Sequence, residues 1–123
     1  MELNQVENAI KSSWDRKTCH PDWEENWSVE NSSKGQCGVS VLILQDFFGG
    51  KIAFNRKLHH VWNIFLDGAE YDLTRNQFLN GTKIKKEGFI SREDMFYNDS
   101  AKKAKVKERY DLLKKRVDKK LGL

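Results

Sequence analysis

With 123 residues, 38% of them hydrophobic and 33% charged, the chain is sized for one domain and can bury a core without disulfide staples. Two cysteines exclude a disulfide-rich scaffold, and no apolar stretch is long enough to read as a membrane span. The net charge of +4 is an uneven average: residues 101–120 hold ten Lys/Arg against three Asp/Glu, leaving 12 basic and 15 acidic side chains elsewhere. The body is therefore no obvious polyanion binder.

Met1-Glu2-Leu3-Asn4 opens a polar, helix-like stretch rather than a basic region followed by an apolar block. A cytoplasmic protein of a reducing compartment is expected, with Cys19 and Cys37 as free thiols; a Cys19–Cys37 disulfide is the lesser alternative. Leu3, Val6, Ile10 and Trp14 recur at the spacing of one helical face, which predicts an amphipathic helix over Leu3 to Trp14. From Asp15 to Gly35 the chain is polar and holds the only proline, Pro21. Trp23 and Trp27 read as pins that keep this loop ordered.

The run Val39, Val41, Leu42, Ile43, Leu44, Phe47, Phe48 is apolar on nearly every side and ends at Gly49-Gly50. A central buried helix beginning at Cys37 is the expectation. Lys51 to Asn55 reads as a strand, with Ile52 and Phe54 facing one way.

The next segment predicts a hairpin closed by Leu66-Asp67-Gly68, with Gly68 left-handed. That register pairs Phe65 with Ala69, Asn63 with Tyr71 and Val61 with Leu73. It gathers Val61, Phe65, Ala69, Tyr71 and Leu73 on the core face. The opposite face receives His60, Trp62, Ile64, Glu70, Asp72 and Thr74. A two-residue turn would mix these sets, because a one-residue slip flips every side chain of a strand.

Thr74-Arg75-Asn76-Gln77 fits a capping box, Asn80-Gly81 a turn, and Lys83 to Gly88 a polar connector. Ser91 to Tyr97 predicts a short capped helix. A final helix runs from about Ser100 to Leu121, with Val106, Tyr110, Leu113, Val117 and Leu121 as its docking stripe.

Chemistry concentrates in Cys37, His60 and Asp72. A cysteine in the first turn of a helix feels the positive end of the dipole, which favours thiolate. His60 would take the thiol proton and return it to a leaving group, and Asp72 would fix its tautomer. The competing reading of Cys37 is a small buried hydrophobe on the stripe of Val41, Leu44 and Phe48. Gln36, or Trp23 or Trp27, would join the Cys37 backbone N–H around an oxyanion, against a plainer reading as solvated side chain or packing. Trp62 would line the site and exclude water. Asn63, the alternative orienter, is turned to the core face by the preferred register.

A zinc site from Cys19, His20, Cys37, His59 and His60 matches no common ligand spacing, so neither metal nor cofactor is expected. The lysines of the C-terminal helix read as a solvated face rather than a nucleic-acid surface.

Gly35-Gln36-Cys37 followed by a hydrophobic helix resembles the nucleophile segment of transglutaminase-like and papain-like cysteine enzymes. The order Cys, His, Asp is similar to the transglutaminase-like branch. A nearer resemblance, carried by Lys11 to Trp14, Gly35 to Gly50 and His60 to Phe78, is to the uncharacterised bacterial YunG-like family. That resemblance implies His60, in His60-Val61-Trp62-Asn63, rather than His59, as the site histidine. The Cys37-to-His60 interval is shorter than in typical transglutaminases and leaves room for one intervening strand.

The expectation is thus a single α+β domain over residues 1–123 with a papain/transglutaminase-like core. A buried helix bearing Cys37 packs on a small antiparallel sheet, with amphipathic helices at both ends. The expected activity is that of a thiol hydrolase or acyltransferase acting on an amide or acyl bond in a small molecule, peptide or protein. The alternative is a non-catalytic binding module of the same fold, its basic C-terminal helix contacting a polyanion.

Overall fold

A computed structural model describes residues 1–123. The first helix, α1, spans Leu3–Lys11 and buries Val6, Ala9 and Ile10. It stops earlier than its periodicity predicts, because the Ser13 hydroxyl donates back to the Ala9 carbonyl and draws the chain out of the helix. Trp14 is still buried just beyond the end, donating its indole N–H to Ser40 Oγ at 3.0 Å.

The polar loop holds two short 3-10 turns, Pro21–Asn26 and Val29–Asn31. Only one of its tryptophans acts as a pin. Trp27 packs on the core and donates to the Ser32 carbonyl, whereas Trp23 is 43% exposed beneath the Lys34 ammonium.

Helix α2, Cys37–Phe48, is the centre of the molecule, with every residue from Val39 to Leu44 buried. A helix apolar all round needs neighbours on all sides, and the chain supplies two cores. One joins α2 through Val39, Ile43 and Leu44 to Val6 and Ile10 of α1 and to Leu113 and Val117 near the C-terminus. The other joins it through Val41 and Leu42 to Ile52, Met95, Phe96 and Ala101.

The sheet is antiparallel in the order β3-β2-β1-β4, formed by β1 (Lys51–Asn55), β2 (His60–Ile64), β3 (Glu70–Tyr71) and β4 (Gly88–Ile90). Gly50, entering β1, has φ +87°, and a Cβ there would run into the Ile64 carbonyl, so only glycine fits. The hairpin adopts the longer-loop register. Asn63 pairs with Tyr71, the Phe65 N–H donates to the Ala69 carbonyl, and Gly68 has φ +87°. Ladder pairing stops at Tyr71, short of the expected Val61–Leu73 pair.

Two features depart from the sequence-based expectation. Gly88–Ile90 is a strand rather than the tail of a connector, pairing with Ile52 to Phe54 on the free edge of β1. The face of His60, Trp62 and Thr74 is also not an open polar surface: all three are buried. The connector into β4 covers this face, with Phe78 against His60, Ile84 sharing a cleft with Trp62, and the Lys85 carbonyl accepting from Asn55.

The final helix is broken in two. After α3 (Arg92–Tyr97), capped by Ser91, comes α4 (Asp99–Lys103). Lys105 then turns the chain at φ +54° into α5 (Val106–Lys120). The predicted stripe on α5 docks through Val106, Leu113 and Val117, but Arg109 is buried among them. No helix is long and apolar enough to cross a membrane.

Candidate functional site

Cys37 is the first residue of α2. Gly35, at φ +74°, turns the chain into it, and a Cβ on Gly35 would lie 3.0 Å from both Cys19 Sγ and the His20 nitrogen. No side chain caps the helix, so its first-turn N–H groups keep their electropositive character. The Cys37 sulfur is partly exposed and lies 3.9 Å from the His59 carbonyl oxygen. His59 itself sits at φ +50° and contributes backbone rather than its ring.

His60, opening β2, is buried, and its Nε2 lies 2.6 Å from Asp72 Oδ2. With the carboxylate accepting at Nε2, that nitrogen carries the proton and Nδ1 is left to act as base. Nδ1 is 3.2 Å from the Gln77 amide nitrogen. Phe78 stands edge-on at 4.8 Å and Trp62 stacks at 5.6 Å, so both sides of the imidazole are held. Trp62 is itself fixed by its indole N–H donating to Glu70 at 3.0 Å. Asp72 Oδ1 is buried without a partner, so His60 receives the only polar contact of this carboxylate.

Burial pushes the Cys37 thiol up. The hydrogen bond to His60, the imidazolium charge, the Val61 backbone N–H and the Arg109 charge outweigh it and hold the group below the ordinary thiol range. Burial likewise disfavours a charged His60, yet hydrogen bonds to Asp72 and Cys37 and the charges of both raise it to about 9. Opposite shifts in the two groups favour proton transfer from Cys37 to His60, toward thiolate and imidazolium. Cys19 differs in kind, because burial pushes its thiol up to about 11 and leaves it protonated.

Gln36 is enclosed rather than solvated. It donates its amide to the Asp15 carbonyl at 3.1 Å and leaves Oε1 buried without a partner. It therefore holds the loop, and its side chain lies away from any solvent-borne oxyanion. Asn63 faces α2 and donates to the Val41 carbonyl. No group of three or more His, Cys, Asp or Glu is placed to hold a metal ion.

Two clefts flank the region. One, of about 230 Å³, lies behind Asp72 between Trp62, Glu70, Arg75 and Ile84. The other, of about 220 Å³, lies by Lys11, Trp14 and Asn76. Neither is lined by Cys37. On α5, Lys107 pairs with Asp111, Lys114 with Asp118 and Arg116 with Asp15, which uses part of the basic face within the molecule.

Three neighbours of the site went unread in the sequence. Gln77 bridges His60, Thr74 and the Gly35 N–H, where the capping-box reading had it closing a helical turn. Phe78 follows it directly. Arg109 donates to the Gly35 carbonyl at 3.0 Å; its spacing from Val106 and Leu113 was the available signal that it lies on the buried stripe.

Residues 2–122 match the family described as YunG protein. A relative described as uncharacterized protein YunG, from Bacillus subtilis (strain 168), is 36% identical over 78 residues, or 62% of this chain. The matched segment spans 63% of that relative's length. No solved structure matches. With its whole length but the terminal residues covered by the family match, the chain belongs to the YunG family.

Proposed function

We propose that the protein is a small thiol enzyme of papain-like or transglutaminase-like design, acting on an acyl or amide bond in a reducing compartment such as the cytoplasm. The observation that carries this reading is the His60–Asp72 pair, with Nε2 at 2.6 Å from the carboxylate, at the start of the strand whose preceding His59 carbonyl lies 3.9 Å from the Cys37 sulfur. The Cys37 sulfur attacks the carbonyl carbon, and the helix-start N–H groups of α2 receive the developing oxyanion. The imidazolium of His60 gives its proton to the departing amine or alcohol. His60, now neutral, activates water or a second amine to break the thioester and regenerate the thiolate. Asp72 keeps the imidazole oriented throughout.

An activated ester such as p-nitrophenyl acetate tests the reading. Mass spectrometry should find one acetyl group on Cys37 and none on Cys19, and His60→Ala should abolish its rapid formation. A Cys37 that stays unmodified in the folded protein would sink the proposal. That neither the cleft behind Asp72 nor the one beside Lys11 is lined by Cys37 favours the second reading, a non-catalytic module of the same fold. That module predicts a Cys37 with ordinary thiol reactivity.

A further inference from the structure

Arg109 is 6% exposed, and no carboxylate lies within ion-pairing distance of it. Its guanidinium is spread over three backbone carbonyls from separate parts of the chain. Nε donates to Thr18 at 3.0 Å, Nη1 to Ala104 at 3.2 Å and Nη2 to Gly35 at 3.0 Å. The Gly35 carbonyl also accepts from the His20 N–H, so the turn two residues ahead of Cys37 is held from both sides. A buried cation with only dipoles around it is a costly way to hold a loop, since apolar packing of similar volume does so at lower desolvation cost. The turn so held leads directly into Cys37, the first residue of α2. The ionisable groups around it are Cys19, His20, Cys37, His59 and His60, with Asp22, Glu24 and Lys34 toward the rim.

We propose that Arg109 is a positioning residue for Cys37: by gripping the Thr18 and Gly35 carbonyls together it sets the Gly35–Gln36–Cys37 turn so that the sulfur is presented toward His60. The inference rests on the nucleophile reading above. Its direction agrees with the Coulombic effect of Arg109 on Cys37, which acts alongside that of His60.

The test is the pH profile of iodoacetamide alkylation at Cys37, resolved from Cys19 by peptide mass spectrometry. In Arg109→Met that is folded by circular dichroism, the thiolate midpoint should rise by about one pH unit. Arg109→Lys, which keeps the charge but cannot bridge the carbonyls with a planar fork, should shift toward the Arg109→Met profile. The unmodified protein gives an independent measurement: the protected Arg109 Nε–H resonance should shift with the Cys37 midpoint and lose that shift in Cys37→Ser. A resonance indifferent to Cys37 ionisation, or a folded Arg109→Met with the wild-type profile, overturns the proposal. An ordinary midpoint in the wild type itself would instead overturn the nucleophile reading beneath it.

Discussion

His60 is the residue on which the site turns, because it is buried, stacked on Trp62, met edge-on by Phe78 and held to Asp72 through Nε2. Its raised pKa of about 9 has a definite sign. The protonated form is favoured in the folded state, so its stabilising contribution is complete below the ordinary histidine value of about 6.5 and is lost as pH rises through about 9. Cys37 runs the other way: its lowered pKa adds stability as pH rises toward the ordinary thiol range, and that contribution fades as pH falls through the folded value. The prediction is an NMR titration of His60 with a midpoint near 9, falling in Cys37→Ser and falling again when Asp72→Asn is added. A midpoint unmoved by Cys37→Ser would show that the two groups are uncoupled. Cys37 should alkylate faster at neutral pH than an ordinary thiol, and His60→Ala should slow it by roughly tenfold or more as the thiol returns toward its ordinary pKa of about 8.5. Gln77→Ala removes the amide group beside Nδ1 without touching the Asp72 contact at Nε2, and should change the neutral-pH rate by less than about tenfold. An effect as large as that of His60→Ala would give Gln77 a place in the chemistry rather than beside it.

At the level of elements, the site depends on where α2 begins and on the hairpin register. Both were readable before any coordinates, for physical reasons. The apolar run from Val39 makes sense only as a helix buried all round, which puts its start at Cys37. Only one hairpin register sorts Val61, Phe65 and Tyr71 from His60 and Asp72, and it is the one formed. What was not readable follows from the same physics. Gly88–Ile90 is too short to show alternation and becomes a strand only because β1 offers it a free edge. The break at Lys105 leaves no pattern in the sequence, because a left-handed lysine looks like any other lysine. The covering of the His60 face comes from a connector whose contacts, Phe78 and Ile84, are long-range and non-periodic. Gly50→Ala tests the element scale, since its Cβ meets the Ile64 carbonyl rather than a movable side chain. It should displace the β1–β2 pair and cost at least about 1 kcal/mol, read as a lower melting temperature. Gly81→Ala, facing open space at φ +84°, carries only the backbone strain and should cost less.

For the molecule as a whole, α2 is held between two cores with different consequences. The core toward α1 and α5 contains none of Cys37, His60 and Asp72, whereas Cys37, at the helix start, follows the Gly35 turn that Arg109 holds. Stability and site geometry should therefore separate. Leu113 is fully buried against α1 and α2, so Leu113→Ala leaves a cavity near the middle of the fold and should cost about 2–5 kcal/mol in denaturant unfolding. Leu79 is 85% exposed, and Leu79→Ala should stay within about 0.5 kcal/mol. Below the unfolding transition, the Cys37 alkylation profile of Leu113→Ala should match the wild type, because the thiolate–imidazolium pair and its carbonyl clamps do not contact that cavity. A shifted profile in the folded Leu113→Ala protein would mean that α5 transmits core packing to the nucleophile. The most direct route is Arg109, whose guanidinium reaches the Gly35 carbonyl from one turn before Leu113. Combining Leu113→Ala with Arg109→Lys distinguishes the two routes, since additive effects on the midpoint mean independent sites and non-additive effects mean a shared path through α5.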